Sequence, residues 1–330
     1  MKASDPGSKA PARALWYVAP GRAELREAAV PAPGAGEVLV RMLYSGISRG
    51  TERLVFEGKV PPAERRRMRM PTQEGEFPFP VKYGYAAVGE VEAGNPAMIG
   101  RTVFALHPHQ SRFVISESAA VPVPDAVPAR RAVLAANIET ALNVLWDGDA
   151  KAGQKIAVVG GGIVGLLVAA LAARPFDAAV TLIDKEPKRE ALANKLGAAF
   201  ALPAAVPHGF ELVVHTSASD AGLALALDIA AFEATIVEAS WYGDRTVNVP
   251  LGGAFHSQRL KLISSQVGAV ASSHRARYTH RQRMDEAMRL LADDRFEALI
   301  GEEIPFDQLP QHLPRLLAHD APGVGALVKY

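Results

Sequence analysis

Cysteine is absent from all 330 positions of this chain. That absence excludes disulfide bonds, cysteine nucleophiles, iron–sulfur clusters and every zinc site that uses thiolates, because each of them needs a cysteine sulfur. Histidine remains available as a metal ligand, and His107 and His109 have the i, i+2 spacing that shares one face of a strand. Two such histidines without a third ligand nearby more often pack or line a loop, so we predict no metal site.

A surplus of charge of one sign and a long hydrophobic run are also missing. The formal net charge is +1, which gives no electrostatic reason to expect nucleic acid as a partner. The most apolar stretch, residues 160–173, is interrupted by glycines and is too short to span a bilayer. Residues 1–13 are polar and lack the apolar core of a signal peptide. We therefore expect a cytoplasmic protein without nucleic-acid or membrane partners, and a disordered lead-in over residues 1–12.

The hydrophobic pattern of the chain changes near Pro124. Before it, short β-branched runs separated by Gly and Pro turns are typical of a small barrel or sandwich. After it, apolar strand runs alternate with helical patterns, which predicts a parallel sheet covered on both faces. We therefore predict an α/β protein of two domains: a central Rossmann domain with a doubly wound parallel sheet over residues 126–267, and a β-rich domain over residues 13–125 that a returning tail, residues 268–330, completes.

Hydrophobic periodicity also predicts the individual elements. The predicted strands with the clearest patterns are Ala14–Ala19, Glu37–Leu43, Tyr83–Ala93, Arg101–Leu106, Arg112–Ser116, Lys155–Val159, Ala179–Asp184, Glu211–Thr216, Ala234–Ala239, Lys261–Gln266 and Gly325–Tyr330. The predicted helices are Pro128–Trp146, Ile163–Arg174, Lys188–Leu196, Ala221–Ala231, Arg283–Leu291 and Leu309–Ala318.

A glycine-rich turn lies between the first Rossmann strand and its helix, in the segment KIAVVGGGIVGLL. Gly160, Gly162 and Gly165 have the spacing G-x-G-x-x-G. The first glycine permits a tight turn, the second lets the backbone approach a pyrophosphate, and the third lets the helix pack close to the strand. Ile163 and Val164 begin the helix, whose positive dipole end would face the phosphates. The pattern predicts a nicotinamide dinucleotide site, and the alternative is a plain tight turn.

The residues around Asp184 bear on which dinucleotide binds. Asp184 ends the next strand, about 20 residues past the glycines, where a carboxylate suits the ribose hydroxyls of NAD and repels the 2′-phosphate of NADP. Lys185 follows directly, with Lys188 and Arg189, and these cations could attract such a phosphate, so NADP stays open. We expect NAD, and we add Lys185 and Thr216, at the end of a later strand, to the predicted cofactor-binding set.

The order of domains resembles that of the medium-chain dehydrogenase/reductase superfamily. The stretch SGISRGTE (Ser45–Glu52) is similar to that superfamily's catalytic loop, and GYAAVGEV (Gly84–Val91) to its G-H-E-x-x-G-x-V segment. Both stretches and the GKVPP segment also resemble motifs of bacteriochlorophyllide dehydrogenases, although the insert between Pro62 and Tyr83 departs from them, so their substrate does not transfer. The resemblance implies that the β-rich domain is GroES-like, that the active site lies in a cleft between the domains, and that the chain forms a homodimer.

The departures from the superfamily's motifs concern its zinc ligands. Where zinc-dependent members have Cys, His and Glu, this chain has Ser48, Tyr85 and Ala86, and the region of their cysteine-rich structural lobe passes through Gly94–Gly100 without a cysteine. A methyl group cannot bind a metal, and neutral hydroxyls are poor zinc ligands. We therefore predict that both zinc sites are absent.

When a dinucleotide transfers a hydride to a carbonyl carbon, negative charge develops on the carbonyl oxygen. Without a metal ion, hydrogen-bond donors of the protein must stabilise that charge. Tyr85 is the expected donor and general acid, with Ser48 or Thr51 as a proton relay. The alternatives are a packed aromatic for Tyr85 and a turn that caps its own backbone for the two smaller residues. Glu139, in the helix that links the domains, could face the cleft as a base or could face solvent.

Four further residues are candidates for substrate contact. Arg65 and Arg66, in the insert PPAERRRMRM, could attract an anionic small-molecule substrate or could belong to a solvated helical turn. His109 could line the cleft, and Trp241 could pack near the nicotinamide or in the core. The resulting hypothesis is a zinc-independent, NAD(H)-dependent oxidoreductase that interconverts an alcohol and a carbonyl. The alternatives are an NAD(P)H-dependent reductase of an activated C=C bond and a non-catalytic dinucleotide-binding redox sensor.

Overall fold

The structure is a computed structural model that describes residues 11–321 and 323–330, and the chain divides into two compact units. The first unit contains the described residues up to Val123, Glu303–Ala321 and Leu327–Tyr330. The second unit contains Pro124–Glu302 and a short segment that ends at Ala326. Most of the predicted lead-in, residues 1–10, lies outside the described residues.

The strands are, in chain order, β1 (Arg13–Ala19), β2 (Arg22–Glu27), β3 (Glu37–Gly46), β4 (Glu74–Gly75), β5 (Val81–Lys82), β6 (Ala87–Ala93), β7 (Thr102–Ala105), β8 (Arg112–Ser116), β9 (Val121–Pro122), β10 (Lys155–Val159), β11 (Ala179–Ile183), β12 (Ala199–Ala201), β13 (Phe210–His215), β14 (Ala230–Glu238), β15 (Lys261–Ser264), β16 (Glu302–Pro305) and β17 (Ala326–Lys329). The α-helices are α1 (Arg49–Phe56), α2 (Ala129–Ala132), α3 (Ala135–Asp147), α4 (Ile163–Ala173), α5 (Glu190–Leu196), α6 (Asp220–Asp228), α7 (His280–Leu290) and α8 (Leu309–Leu316).

The second unit is built on a six-stranded sheet with the order β12-β11-β10-β13-β14-β15, in which every pair is parallel. β10 lies near the centre, and four of its five residues are buried, as expected for a parallel strand covered on both faces. α4 follows it and is buried from Gly165 to Ala172, which fits a helix that is apolar on all sides. This sheet confirms the predicted α/β class and its parallel core.

The first unit is built from antiparallel strands. Its larger sheet has the order β16-β17-β3-β6-β7-β9, with β8 paired to β3, and its smaller sheet has the order β2-β1-β5-β4. β3 is the centre of the larger sheet because it pairs with β17, β6 and β8. Its inward positions, among them Val38, Val40 and Met42, pack in one buried core. The β-rich character predicted for this unit is confirmed.

Two elements differ from the sequence prediction. The single helix predicted over Pro128–Trp146 is two helices, α2 and α3, separated at Val133 and Leu134. The loop predicted at Ser45–Glu52 runs from the end of β3 into α1, which the pattern missed because the helix contains Gly50 and is only eight residues long. None of the helices in the described part of the chain is long and apolar enough to cross a membrane.

The C-terminal boundary between the units also differs from the sequence assignment. Residues 268–302 were assigned to the β-rich domain, but in the structure they pack within the second unit. The reason is α7, which lies against α3 and inserts the buried Arg283 between Glu139 and Asn143. Only the later part of the tail, with α8 and β17, belongs to the first unit.

Candidate active-site hydroxyls and dinucleotide-binding turn

Three hydroxyl side chains predicted to be catalytic lie together in the first unit. Ser48 lies where β3 gives way to α1, Thr51 lies in the first turn of α1, and Tyr85 lies just before β6. The Tyr85 hydroxyl donates a hydrogen bond to Ser48 Oγ and also interacts with the Thr51 hydroxyl. Burial raises the pKa of Tyr85 to about 12, although the bonds to Ser48 and Thr51 oppose that shift. Tyr85 is therefore a neutral phenol and a hydrogen-bond donor at physiological pH.

A buried carboxylate lies behind this hydroxyl cluster. Glu52 is completely buried, and its Oε1 accepts a hydrogen bond of 2.7 Å from the Ser48 backbone N–H. Its Oε2 accepts one of 2.7 Å from the Tyr17 hydroxyl and lies 3.0 Å from His109 Nε2. These donors hold the carboxylate and fix the backbone that carries Ser48. The sequence placed Glu52 in the loop motif but did not identify its partners, because Tyr17 is distant along the chain.

His109 is part of the same network and does not face an open surface. It is 1% exposed, its Nδ1 lies 2.7 Å from Ser45 Oγ, and its Nε2 is occupied by Glu52. Ser45 Oγ lies 3.0 Å from the hydroxyl of Tyr330, the last residue of the chain. Both ring nitrogens of His109 are therefore engaged, and neither is free for the predicted contact with substrate. His109 instead positions Glu52.

His107 has a separate packing role. Residues 107–109 lie outside the strands, so the two imidazoles do not share a strand face as the spacing suggested. The His107 ring stacks on Phe113 with 3.8 Å between centroids, and its Nδ1 lies 3.0 Å from the Pro108 carbonyl oxygen. Burial lowers the pKa of His107 to about 3, which keeps the imidazole neutral.

The three positions that resemble zinc-ligand positions in the sequence motifs carry side chains that fit a zinc ion poorly. Ser48 and Tyr85 offer hydroxyls that bind each other, and the buried Ala86 offers a methyl group. Throughout residues 11–321 and 323–330, no group of three or more histidine or carboxylate side chains is arranged to hold a metal ion.

The glycine-rich turn in the second unit fits a pyrophosphate. Gly160 has φ +112°, a conformation that favours glycine. A Cβ on Gly165 would lie 1.9 Å from the Gly160 carbonyl oxygen, so only glycine lets α4 pack against the turn. A Cβ on Gly162 would meet no atom within 4 Å, which leaves open space before the N-terminus of α4 at Ile163 and Val164. The N-cap residue is Gly162 itself, and no side chain caps the helix by a hydrogen bond, so the backbone N–H groups of the first turn could bind an anion.

Two predicted cofactor residues brace this turn. Asp184 Oδ2 accepts a hydrogen bond of 2.5 Å from Gly161 N–H, and its Oδ1 accepts one of 2.8 Å from Glu186 N–H. The Thr216 hydroxyl donates to the Gly160 carbonyl oxygen at 2.8 Å, so it supports the turn from below and does not keep its proton for a ligand. Lys185 is exposed beside Asp184.

Glu139 is buried and paired with an arginine. It is 6% exposed and pairs with Arg283, whose Nε lies 3.0 Å from Glu139 Oε1. Burial raises the pKa of Glu139, and the Arg283 guanidinium opposes that shift. Arg283 also donates to Asn143 Oδ1 and to the carbonyl oxygen of Val267, both at 2.5 Å. Glu139 therefore forms a buried ion pair that joins α3 to α7 and does not face solvent, and its role as a base stays a prediction.

The remaining predicted substrate residues lie in irregular segments. Arg65 is half-buried and Arg66 is exposed, just after the 3-10 turn Pro62–Glu64. Their neighbour Arg67 binds Glu64 through its side chain, so the insert is partly a set of local ion pairs. Trp241 is half-buried in the segment that follows β14. These positions leave the predicted substrate contacts as predictions.

The structure also reveals a polar cluster that the sequence prediction did not identify. His215 ends β13 and Glu238 ends β14, and the neighbouring parallel strands bring His215 Nδ1 to 2.6 Å from Glu238 Oε2. His215 Nε2 lies 2.6 Å from Ser217 Oγ. The sequence could have predicted this cluster, because polar residues that end adjacent parallel strands meet at one edge of the sheet.

No protein-family model matches the chain, whereas solved structures match it closely in fold. A candidate zinc-binding dehydrogenase from Sinorhizobium meliloti 1021, bound to NADP, has a TM-score of 0.77 at 19% identity, covering 98% of this chain and 100% of its own. An alcohol dehydrogenase from Escherichia coli CFT073 complexed with NADH has a TM-score of 0.77 at 17% identity, covering 97% and 100%. L-idonate 5-dehydrogenase from Escherichia coli K-12 has a TM-score of 0.79 at 15% identity, covering 97% and 98%. The chain therefore has the fold of these dehydrogenases over nearly its whole length.

Proposed function

We propose that this chain is a zinc-independent member of the medium-chain dehydrogenase/reductase superfamily that interconverts an alcohol and a carbonyl with NAD(H). The observation that carries the proposal is the hydroxyl cluster of Ser48, Thr51 and Tyr85, backed by the buried Glu52. These groups stand where the resembled motifs have their catalytic residues. The fold shared with dehydrogenases that bind NADP or NADH supports a dinucleotide-dependent activity.

The hydroxyl cluster has the arrangement that a proton relay needs. Tyr85 donates to Ser48 Oγ, which leaves the Ser48 proton free to point at a substrate oxygen. During carbonyl reduction, that oxygen gains a proton from Ser48 while Ser48 regains one from Tyr85, and a proton from solvent restores the Tyr85 phenol before the next turnover. Glu52 holds the Ser48 backbone and keeps the relay in place. A neutral phenol suits this role because it stabilises an alkoxide without adding charge.

The glycine-rich turn would hold the cofactor, which supplies or accepts the hydride when bound. Gly160, Gly162 and Gly165 leave room for the pyrophosphate at the end of α4, and Asp184 would meet the ribose hydroxyls. The Asp184 carboxylate disfavours a 2′-phosphate, which is why we propose NAD over NADP.

The test is turnover of purified full-length protein with NADH and NADPH against a panel of aldehydes, ketones and activated enones. We expect oxidation of NADH with a carbonyl, and a fall in kcat of about 10²-fold or more in Tyr85→Phe and Ser48→Ala, because the proton donor is lost. Tyr278→Phe, a tyrosine in the other unit that packs on Trp146, is the matched control. Turnover confined to enones would favour C=C reduction, and NADH binding without turnover would favour a sensor.

Metal dependence and assembly are measured on the same preparation. We expect activity to survive dialysis against a strong chelator, whereas one zinc ion per chain together with chelator-sensitive turnover would contradict the proposal.

We also propose a homodimer that pairs through β15, the edge strand of the parallel sheet, where Leu262 is 36% exposed. Light scattering should then give twice the 35.1 kDa mass of one chain.

A further inference from the structure

Three side chains at the carboxyl edge of the parallel sheet are joined in series by hydrogen bonds. Ser217 Oγ lies 2.6 Å from His215 Nε2, and His215 Nδ1 lies 2.6 Å from Glu238 Oε2. Hydroxyl, imidazole and carboxylate joined in this order are the arrangement by which an imidazole removes the proton of a serine. All three residues belong to the second unit, and none is used by the proposed hydride transfer.

The contacts of Glu238 determine where the protons lie. Burial raises the pKa of this carboxyl, but the bonds to His215 and Ser240 outweigh burial and leave it below its ordinary value. Ser240 N–H donates to Oε1 at 2.8 Å, and the Tyr242 hydroxyl donates to Oε2 at 2.9 Å. A carboxylate oxygen only accepts hydrogen bonds, so the 2.6 Å contact places a proton on His215 Nδ1. In the neutral imidazole, Nε2 is then the acceptor that faces the Ser217 hydroxyl.

The cluster combines an accessible serine with a sheltered base. Ser217 is exposed, whereas His215 is completely buried. Ser217 lies in the short turn between β13 and α6, and the next residue, Ala218, has φ +49°, a left-handed conformation that a non-glycine residue adopts at a cost. A serine on a tight strand-to-helix turn is presented outward at the top of the sheet.

Gly222, in the first turn of α6, leaves the space that the Ser217 side chain occupies. A Cβ on Gly222 would lie 2.2 Å from Ser217 Oγ and 2.7 Å from His215 Nε2. Glycine inside a helix costs about 1 kcal/mol relative to alanine, so the close approach of the side chains accounts for its presence. It also places Ser217 Oγ beside the positive end of α6, where negative charge on a reacting oxygen is stabilised.

We propose that Ser217 is an activated nucleophile with His215 as its base and Glu238 as the group that orients the base, and that it takes acyl groups from small activated esters. Ser217 Oγ forms a bond to the ester carbonyl carbon while its proton passes to His215 Nε2. The bond from that carbon to the leaving alcohol oxygen breaks, and the alcohol receives the proton from His215. Water then attacks the acyl-serine with His215 as base, which releases the carboxylic acid and restores Ser217.

The experiment uses the full chain without added dinucleotide, so its outcome is independent of the proposed hydride transfer. The protein is incubated with p-nitrophenyl acetate and, separately, with a fluorophosphonate, and the modified peptide is identified by mass spectrometry. We expect one label per chain, on Ser217, and a burst of p-nitrophenol. In Ser217→Ala the label should vanish, and in His215→Gln and Glu238→Gln the labelling rate should fall about 10²-fold or more.

Ser257→Ala is the matched control, because Ser257 is an exposed serine whose hydroxyl donates to the Gly253 carbonyl oxygen at 3.3 Å and not to an imidazole. It should label at the wild-type rate. Wild-type protein that is not labelled at Ser217, or a His215→Gln protein that folds and labels as fast as wild type, overturns the proposal. Labelling of wild-type protein at Ser217 tests the proposal without any variant, so the proposal can be overturned even if a variant fails to fold.

Discussion

Gly162 and Gly165 lie three residues apart in the same turn, yet the packing of the chain requires glycine only at Gly165. A side chain on Gly165 would collide with the protein itself, since its Cβ would lie 1.9 Å from a carbonyl oxygen. A side chain on Gly162 would project into open space in front of α4. The G-x-G-x-x-G motif predicted a different role for each of the two glycines, and the packing shows the close helix contact at Gly165 and the open space at Gly162.

This difference predicts opposite behaviour for two alanine substitutions. Gly162→Ala should leave the free energy of unfolding within about 0.5 kcal/mol of wild type, because the methyl group meets nothing, but it should weaken NADH binding at least tenfold by occupying the place of the pyrophosphate. Gly165→Ala should lower Tm markedly. Thermal unfolding and NADH fluorescence titration measure both effects. A Gly162→Ala protein that binds NADH as well as wild type would contradict the assignment of this turn.

Around Tyr85, the sequence predicted some of the neighbouring residues and not others. The motif positions of Ser48, Thr51 and Tyr85 were visible in the sequence, and the structure brings them together. The partners of Glu52 were not visible, because Tyr17 and His109 come from segments 35 and 57 residues away. Hydrogen bonds over such separations depend on how the strands pair, which no local pattern states.

At the scale of elements, α3 and α7 are joined by a buried charge pair and by a hydrogen bond from Arg283 to Asn143. Arg283 and Glu139 are both nearly excluded from water, at 1% and 6% exposure. A helical pattern predicted both elements, but α7 was assigned to the other domain because amphipathicity does not name the surface that a helix covers. The buried arginine identifies that surface, since its guanidinium donates to Glu139 and Asn143 of α3 and to the carbonyl oxygen of Val267.

Removal of Arg283 should therefore be costly. Arg283→Met leaves Glu139 buried without its cation, and we expect a loss of about 3–5 kcal/mol in the free energy of unfolding at neutral pH. The loss should shrink near pH 5, because an unpaired buried carboxyl has a raised pKa and takes up a proton, which removes the buried charge. Urea unfolding at the two pH values measures this. The double variant Glu139→Gln/Arg283→Met should recover part of the stability, and equal loss in both variants would contradict the charge-pair explanation.

At the scale of the whole molecule, the first unit is built from both ends of the chain. β17, which ends one residue before the C-terminus, pairs with β3, and Tyr330 reaches Ser45 with its hydroxyl. The strand was predicted from its apolar pattern, together with its return to the first unit. Its neighbours in the sheet were not predictable, because any exposed edge offers the same backbone hydrogen bonds.

Deletion of residues 327–330 should separate carbonyl reduction from NADH binding. The deletion removes the partner of β3 next to the hydroxyl cluster, so we expect carbonyl reduction to fall at least tenfold. NADH affinity should stay within twofold of wild type, because the glycine-rich turn belongs to the other unit. Lys329→Ala is the control, since its ion pair with Glu303 is largely exposed and contributes little. Full turnover after the deletion would show that β17 does not support the site.

The sequence by itself determined the class of the fold, the parallel sheet, the glycine-rich turn and the absence of every cysteine-based site. These features are local, since they depend on periodicity, on residue spacing or on composition. The tertiary structure decided that Glu139 is paired, that His109 lies behind Glu52, and that Ser217, His215 and Glu238 meet. Those outcomes depend on which strands and helices become neighbours, because burial and hydrogen-bond partners arise only when distant segments pack together.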